Sequence, residues 1–213
     1  PPPPRTPPRP VPADQVSFGL APRLNASGRI AHAKKGVALL TTESREEADR
    51  LAEELCSINV ERQTIERAIF QEALVRMEAL EGEQSMALVI DGKDWHPGVI
   101  GIVASRVVEQ FHRPALVITI HDGVGKGSCR SIPGFNIYEA LKAQSDLLLQ
   151  FGGHTMAAGF SIAEENIPRF RKRLNEYAAE RLTREDCIPQ LEIEQFIPLP
   201  EVTLDFIRSL ALL

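Results

Sequence analysis

The run MALVIDGKDWHPGVIGIVASRVVEQF, residues 86–111, holds a strand signature, a loop and a helix signature in succession. Met86 to Ile90 is continuously apolar, the pattern of a strand buried on both faces. Asp91 to Pro97 reads as a loop carrying Trp95 and His96. Val99 to Phe111 reads as a helix that is apolar almost all round at its start. Pro97 suits the first helical position, and His96 lies where free helix N–H groups favour an anion. Gly98, Gly101 and Ser105 would allow close packing against this helix. A second apolar run, Ala115 to Ile120, begins after Pro114 and completes a strand–helix–strand unit. Such a unit predicts an α/β domain with helices packed on a mixed sheet.

Further along, Gly123, Gly125 and Gly127 predict a flexible turn into a strand, Ser128-Cys129-Arg130-Ser131. Strand alternation puts Ser128 and Arg130 on one face, a hydroxyl beside a guanidinium, which is the chemistry of an anion clamp. The plain alternative is an edge strand with a solvated face. Asn136 is placed to cap a helix over Ile137 to Gln150. That helix delivers the chain to FGGHTMAAGF, Phe151 to Phe160. Here Gly152 and Gly153 allow a tight turn, and His154 sits at the mouth of a buried strand ending at Ile162. A histidine in this place can face a cleft or simply cap a loop. An amphipathic helix is expected from Asn166 to Leu182, its Arg169–Arg173 run a solvated face. Cys187 to Leu213 reads as a strand and a short helix. The chain ends on Ala211-Leu212-Leu213 without a stop signal, as an excerpt from a longer protein would.

Towards the N-terminus, Ser44 and Glu47 form a capping box opening a long helix that can run to about Leu80 and end at Gly82. Its apolar stripe is Leu51, Leu55, Ile58, Ile65, Ile69 and Ala73, and the member that should stand at position 62 is Arg62. A guanidinium in a buried seam requires a partner or a cavity. Asn59 and Gln63 beside it make this a candidate polar or ligand-facing patch. Ala33 to Leu40 reads as a short helix. Val16 to Ile30, VSFGLAPRLNASGRI, reads as a glycine-bent loop flanked by Arg23 and Arg29, suited to a phosphate or carboxylate. Pro1 to Pro12 predicts an extended, polyproline-like tail.

The 213 residues carry a net charge of −5, which argues against coating duplex nucleic acid by bulk electrostatics, though not against a cleft in which a few arginines meet phosphates. No apolar run is long enough to cross a bilayer and no signal peptide is visible. The three cysteines, Cys56, Cys129 and Cys187, show neither disulfide nor metal-ligand spacing, and a reducing cytoplasm is the expected home.

Five separated stretches, RLNASGR (Arg23–Arg29), NVERQ (Asn59–Gln63), WHPGVIGIVASR (Trp95–Arg106), GSCRS (Gly127–Ser131) and GGHTMAAGF (Gly152–Phe160), together resemble the RecJ family of single-stranded-DNA-specific exonucleases among the DHH phosphoesterases. The resemblance implies a mixed-sheet DHH-associated substrate-binding domain over residues 83–184. A long connector helix over 44–82 would join it to the tail of a DHH catalytic domain over 16–43. Residues 1–15 would be a disordered proline-rich segment and 185–213 the start of an OB-fold domain. Ser128 and Arg130 would then hold the 5′-terminal phosphate, and His154 would lie beside the scissile phosphate as the catalytic contact. Arg29, Asn59, Arg62 and Gln63, with Gly152 and Gly153, would line the DNA channel.

The family's aspartate and histidine metal ligands belong to a domain not included in these residues. The intact enzyme would use Mn2+ or Mg2+, none of it held by this segment, and binding without catalysis is expected here. Implied partners are single-stranded DNA with a 5′-phosphate, a single-strand-binding protein and a RecQ-type helicase. The implied state is a monomer away from membranes, and the implied role is DNA repair and recombination. Two alternatives remain open at the level of sequence. One is a hydrolase of short oligoribonucleotides or phosphoadenosine phosphate from the same superfamily, and the other a non-catalytic nucleic-acid-binding or protein-interaction module.

Overall fold

The computed structural model describes residues 11–80 and 85–210. Most of the expected proline-rich tail, the expected helix end at Gly82 and the last three residues lie outside that range. A five-stranded sheet has the order β1-β2-β3-β5-β4. β1 (Leu88–Lys93) runs parallel to β2 (Ala115–His121), and α4 (Ile100–Phe111) makes the crossover. β3 (Val124–Arg130), β5 (Ala157–Ala163) and β4 (Leu148–Gly153) continue the sheet in antiparallel fashion.

Alternation along β1 and β2 explains the two layers. Val89, Leu116, Ile118 and Ile120 face a core shared with α5 (Ile137–Lys142) and α6 (Ile167–Ala179). Leu88, Ile90, Ala115 and Val117 face a second core, built from α4 and the long helix α3 (Arg45–Leu80). Both faces are thus covered, and a strand in that position must be apolar throughout.

The second strand of the sheet turns into the third over Asp122 and Gly123 alone, both at positive φ, with His121 paired to Val124. Asp-Gly is the preferred pair for such a two-residue hairpin. Gly125 and Gly127, expected in the turn, lie inside β3 instead. A Cβ at Gly127 would stand 2.2 Å from the Phe160 ring, and one at Gly125 would stand 2.8 Å from Ile118, so both are glycines of close packing.

Four further expectations change. The helix after Asn136 stops at Lys142, although Asn136 caps it as predicted by accepting from the Tyr138 and Glu139 N–H groups. Leu148 to Gly153 then forms an edge strand whose Phe151 pairs with Phe160, so tertiary pairing overrides local helix propensity. α4 begins at Ile100 rather than Pro97, and His96 Nδ1 accepts from the Gly98 N–H at 3.1 Å, which ties the ring to the turn before the helix. No strand occurs between Cys187 and Leu210. That stretch has short 3-10 turns and α7 (Leu204–Leu210), and its Leu191, Ile193 and Phe196 are exposed.

The free edge of β1 cannot accept another strand. Arg171 donates to Val89 O and pairs with Asp91, and Asn175 both donates to Ala87 O and accepts from its N–H. Arg173 meanwhile pairs with Asp146 at 2.7 Å. Two members of the basic run on α6 are therefore clamps, not solvated charges.

The stretch read as a glycine-bent loop is helical. A π-helical segment, Gln15–Leu20, runs into α1 (Ala21–Ile30), followed by α2 (Lys34–Thr41). Pro22 lies in the first turn of α1, where its missing N–H is harmless. Ala26 and Ser27 are fully buried, and Ala26 packs against Leu55 and Ile58 of α3. That packing outweighs the weak helix propensity of Asn25 and Gly28.

α3 is fastened to the sheet by Trp95. The indole N–H donates to Glu72 at 2.8 Å, and Thr119 Oγ1 donates to the Trp95 carbonyl at 2.7 Å. The indole bond, and after it Arg76, hold the Glu72 carboxyl below its ordinary value of 4.5. A depressed folded-state value adds stability above the ordinary value, and that stability is lost as pH falls through the folded value. Melting curves of the unaltered protein and Glu72→Gln should therefore converge as pH drops from about 6 to about 3. A gap constant across that window would refute the assignment.

Candidate nucleic-acid interface

The seam arginine of α3 has both its partners on α3, and one of them, Glu66, reaches α4. Arg62 donates through Nη2 to Asn59 Oδ1 at 2.8 Å and through Nη1 to Glu66. Glu66, 8% exposed, accepts with its other oxygen from Arg106 of α4 at 3.1 Å. Arg106 also stacks over Phe70 at 4.1 Å. Asn59 is buried as well, whereas Gln63 is half-buried beside Arg62 and makes none of these bonds. Reading the sequence located Asn59 and Arg62 but missed Glu66 and Arg106. The available signal was spacing, because Glu66 stands four residues after Arg62 on the same stripe, where a carboxylate can meet a guanidinium.

Arg29 occupies the last turn of α1, not a loop. Helix carbonyls there favour a cation, and its Nη1 donates to Gly98 O at 3.3 Å. The contact is close because Gly98 lacks a side chain, since a Cβ there would stand 2.1 Å from the Arg29 carbonyl oxygen. Ile30 packs into both the α3 seam and the core under α4. Arg23, the other flanking arginine, is engaged with Gly19 O and with Cys56 Sγ.

Gly98 leads into α4, whose second residue, Gly101, lies against the end of β3. A Cβ at Gly101 would stand 3.0 Å from Ser128 Oγ and 3.3 Å from Arg130 Nη2. Arg130 Nη1 donates to Cys129 O at 2.7 Å and to Ser128 Oγ at 3.3 Å. The Ser128 oxygen accepts from the guanidinium, which leaves its own O–H to donate elsewhere. Nη2 faces the space that a larger residue at position 101 would fill. Two donors beside the first turn of a twelve-residue helix form a cradle for a phosphate-like group. Cys129 is turned into the core, fully buried, and burial pushes its thiol well above the ordinary value. It stays a neutral packing group.

The glycine–histidine turn meets the same end of the sheet. Arg130 pairs with Ala157 and Ser128 with Gly159. The His154 N–H donates to Ala157 O at 2.8 Å and the Ser131 N–H to Met156 O at 2.9 Å. Gly153 holds φ near +149°, and a Cβ there would stand 2.4 Å from Ala158 Cα, so no other residue fits. Gly152 has open space instead. Residues 152–156 are exposed.

The named contacts fall into separate groups: Asn59 and Arg62 join Glu66 on α3, Arg29 meets Gly98, and Gly101 meets Ser128 and Arg130, whose strand pairs with the Ala157 that accepts from the His154 N–H. Among the described residues no group of three or more histidines, cysteines, aspartates or glutamates could hold a metal ion. The described residues thus offer no ligand set for a metal, and no metal-dependent step is assigned to them. No helix among the described residues is long and apolar enough to cross a membrane.

Residues 82–180 match the DHHA1 domain. The single-stranded-DNA-specific exonuclease RecJ of Bacillus subtilis (strain 168) is 44% identical over 202 residues, covering 94% of this chain and 26% of that protein. The crystal structure of RecJ from Thermus thermophilus in complex with Mg2+ superposes with a TM-score of 0.82 at 37% identity, covering 93% of this chain and 30% of that one. The Mn2+ complex of the same protein gives the same score. The chain spans about a third or less of the relatives it matches. Carrying a DHHA1 domain over residues 82–180 and matched over nearly its whole length, the chain is similar to part of the RecJ single-stranded-DNA-specific exonucleases.

Proposed function

We propose that this chain is the substrate-binding portion of a 5′-to-3′ exonuclease acting on single-stranded DNA. The observation that carries the reading is the Ser128–Arg130 pair, whose remaining donors face the space left by Gly101. That arrangement suits a terminal phosphate, which is smaller and more highly charged than an internal diester. His154, whose backbone N–H donates to Ala157, the residue opposite Arg130, would meet the adjoining phosphodiester. Arg29, Asn59, Arg62, Gln63, Gly152 and Gly153 would contact the strand beyond it. A few placed donors of this kind explain how a protein of net charge −5 binds a polyanion.

In the intact protein, residues 16–43 would complete a catalytic domain, 44–82 would serve as its connector, and 185–213 would lead into a further domain. Phosphodiester hydrolysis would draw on divalent ions held outside these residues. A role in DNA repair and recombination beside a single-strand-binding protein and a helicase would follow, as would a monomeric state in the cytoplasm. The test is fluorescence anisotropy with one oligonucleotide carrying either a 5′-phosphate or a 5′-hydroxyl. The phosphorylated strand should bind roughly tenfold or more tightly, as expected for hydrogen bonds to a charged group. Equal affinity for the two ends would overturn the reading.

A further inference from the structure

We propose that Glu66 is a positioning residue that holds Arg62 and Arg106 as one two-guanidinium element for the sugar–phosphate backbone of the strand. The proposal rests on the reading of the chain as a single-strand binder. Its own observation is a buried carboxylate with both oxygens engaged, one on α3's Arg62 and the other on α4's Arg106 at 3.1 Å. The Arg62 and Glu66 side chains are each 11% exposed and that of Arg106 is 39% exposed.

One negative and two positive charges leave the cluster with a net charge of +1. A structural ion pair would be closed by one arginine, so the second guanidinium is surplus to the burial of Glu66. Asn59 on one side and the Phe70 ring on the other fix the two planes. Each guanidinium has five N–H donors, and this network uses two of them on Arg62 and one on Arg106. Pinned donors of this kind lose little conformational freedom when they meet an anion.

Charge counting and positioning predict opposite outcomes for Glu66→Gln. The substitution adds one unit of positive charge, so bulk electrostatics alone would tighten DNA binding and steepen its salt dependence. The amide can accept from one arginine but turns N–H donors towards the other, so the pair loses its shared geometry. We expect the 213-residue protein carrying Glu66→Gln to bind a 5′-phosphorylated oligothymidylate about tenfold more weakly, about 1.4 kcal/mol. Its slope of log affinity against log salt should become shallower by about 0.7 for each phosphate that is no longer neutralised.

The ratio of affinities for 5′-phosphate and 5′-hydroxyl ends should not change, because Ser128 and Arg130 are untouched. A merely structural defect would lower the active fraction and leave the salt slope where it was. Binding that is equal or tighter, or an unchanged slope, overturns the proposal. If Glu66→Gln does not fold, Arg62→Lys decides. It keeps the charge but replaces the two-nitrogen fork that joins Asn59 and Glu66 by a single nitrogen, so Arg106 loses its fixed partner geometry. Unchanged affinity or an unchanged salt slope there overturns the proposal, while a matching loss with a shallower slope and the same end preference upholds it. Failure of the unaltered protein to bind the oligonucleotide would refute the functional reading itself, and the role of Glu66 with it.

Discussion

Trp95→Ala is expected to destabilise the protein by about 3–5 kcal/mol, the range for deleting a buried large aromatic side chain. Trp95 is 5% exposed and sits in the core between β1, α4 and α3. Its ring lies so close to Gly92 that a Cβ there would stand 2.2 Å from Cε2, so position 92 has no side chain to fill the space vacated. The indole is also the hydrogen-bonded link from the sheet to Glu72 of α3, and Arg76 stacks on it at 5.8 Å. Trp95→Phe keeps much of the packing and loses the bond, so it should cost less than half as much. Denaturant unfolding of the two variants separates the contributions. A loss below about 1 kcal/mol for Trp95→Ala would mean that the site collapses and that α3 is held elsewhere. The functional consequence is specific. Loosening α3 should weaken contacts that depend on Asn59 and Arg62, and leave the preference of Ser128 and Arg130 for a phosphorylated end in place.

The same residues show what the sequence discloses and what it hides. The β1–α4–β2 unit is legible because burial on both faces forces continuous apolar runs, and nothing polar interrupts Leu116 to Ile118. The long helix is legible from its capping box and stripe. β4 is hidden because Leu148 to Phe151 gains its hydrogen bonds only from β5, and no local pattern records that pairing. α1 is hidden because its weak helix formers are held by burial of Ala26 against α3, a contact made at long range. Glycines mislead in the same way. Gly123 marks a turn through its own φ, whereas Gly98, Gly101 and Gly127 are fixed by what packs on them. In the candidate site, side-chain type and strand alternation found Ser128 and Arg130. The carboxylate that organises Arg62 was missed because the gap in the apolar stripe drew attention to the arginine and not to the next turn.

Arg130→Ala should abolish discrimination between phosphorylated and unphosphorylated 5′ ends, a loss of roughly 10- to 100-fold if the guanidinium makes charge-assisted bonds of about 1.5–3 kcal/mol. That result alone would not separate a terminal-phosphate cradle from a general loss of charge, and Gly101→Ala does so without altering any charge. Alanine is favoured over glycine in a helix, by about 0.5–1 kcal/mol in the interior and by less in the first turn where Gly101 stands, so the substitution should hold or slightly raise the stability of α4. The new methyl would nevertheless stand 3.0 Å from Ser128 Oγ and 3.3 Å from Arg130 Nη2, which narrows the space those donors face. The two quantities should therefore move apart, with the melting temperature unchanged or higher and the 5′-phosphate preference reduced towards that of Arg130→Ala. Affinity for a 5′-hydroxyl strand, which does not need the cradle, should change little. If Gly101→Ala instead keeps the full preference while melting higher, the terminal phosphate does not approach along the first turn of α4, and the donors of Ser128 and Arg130 must meet the strand from another side.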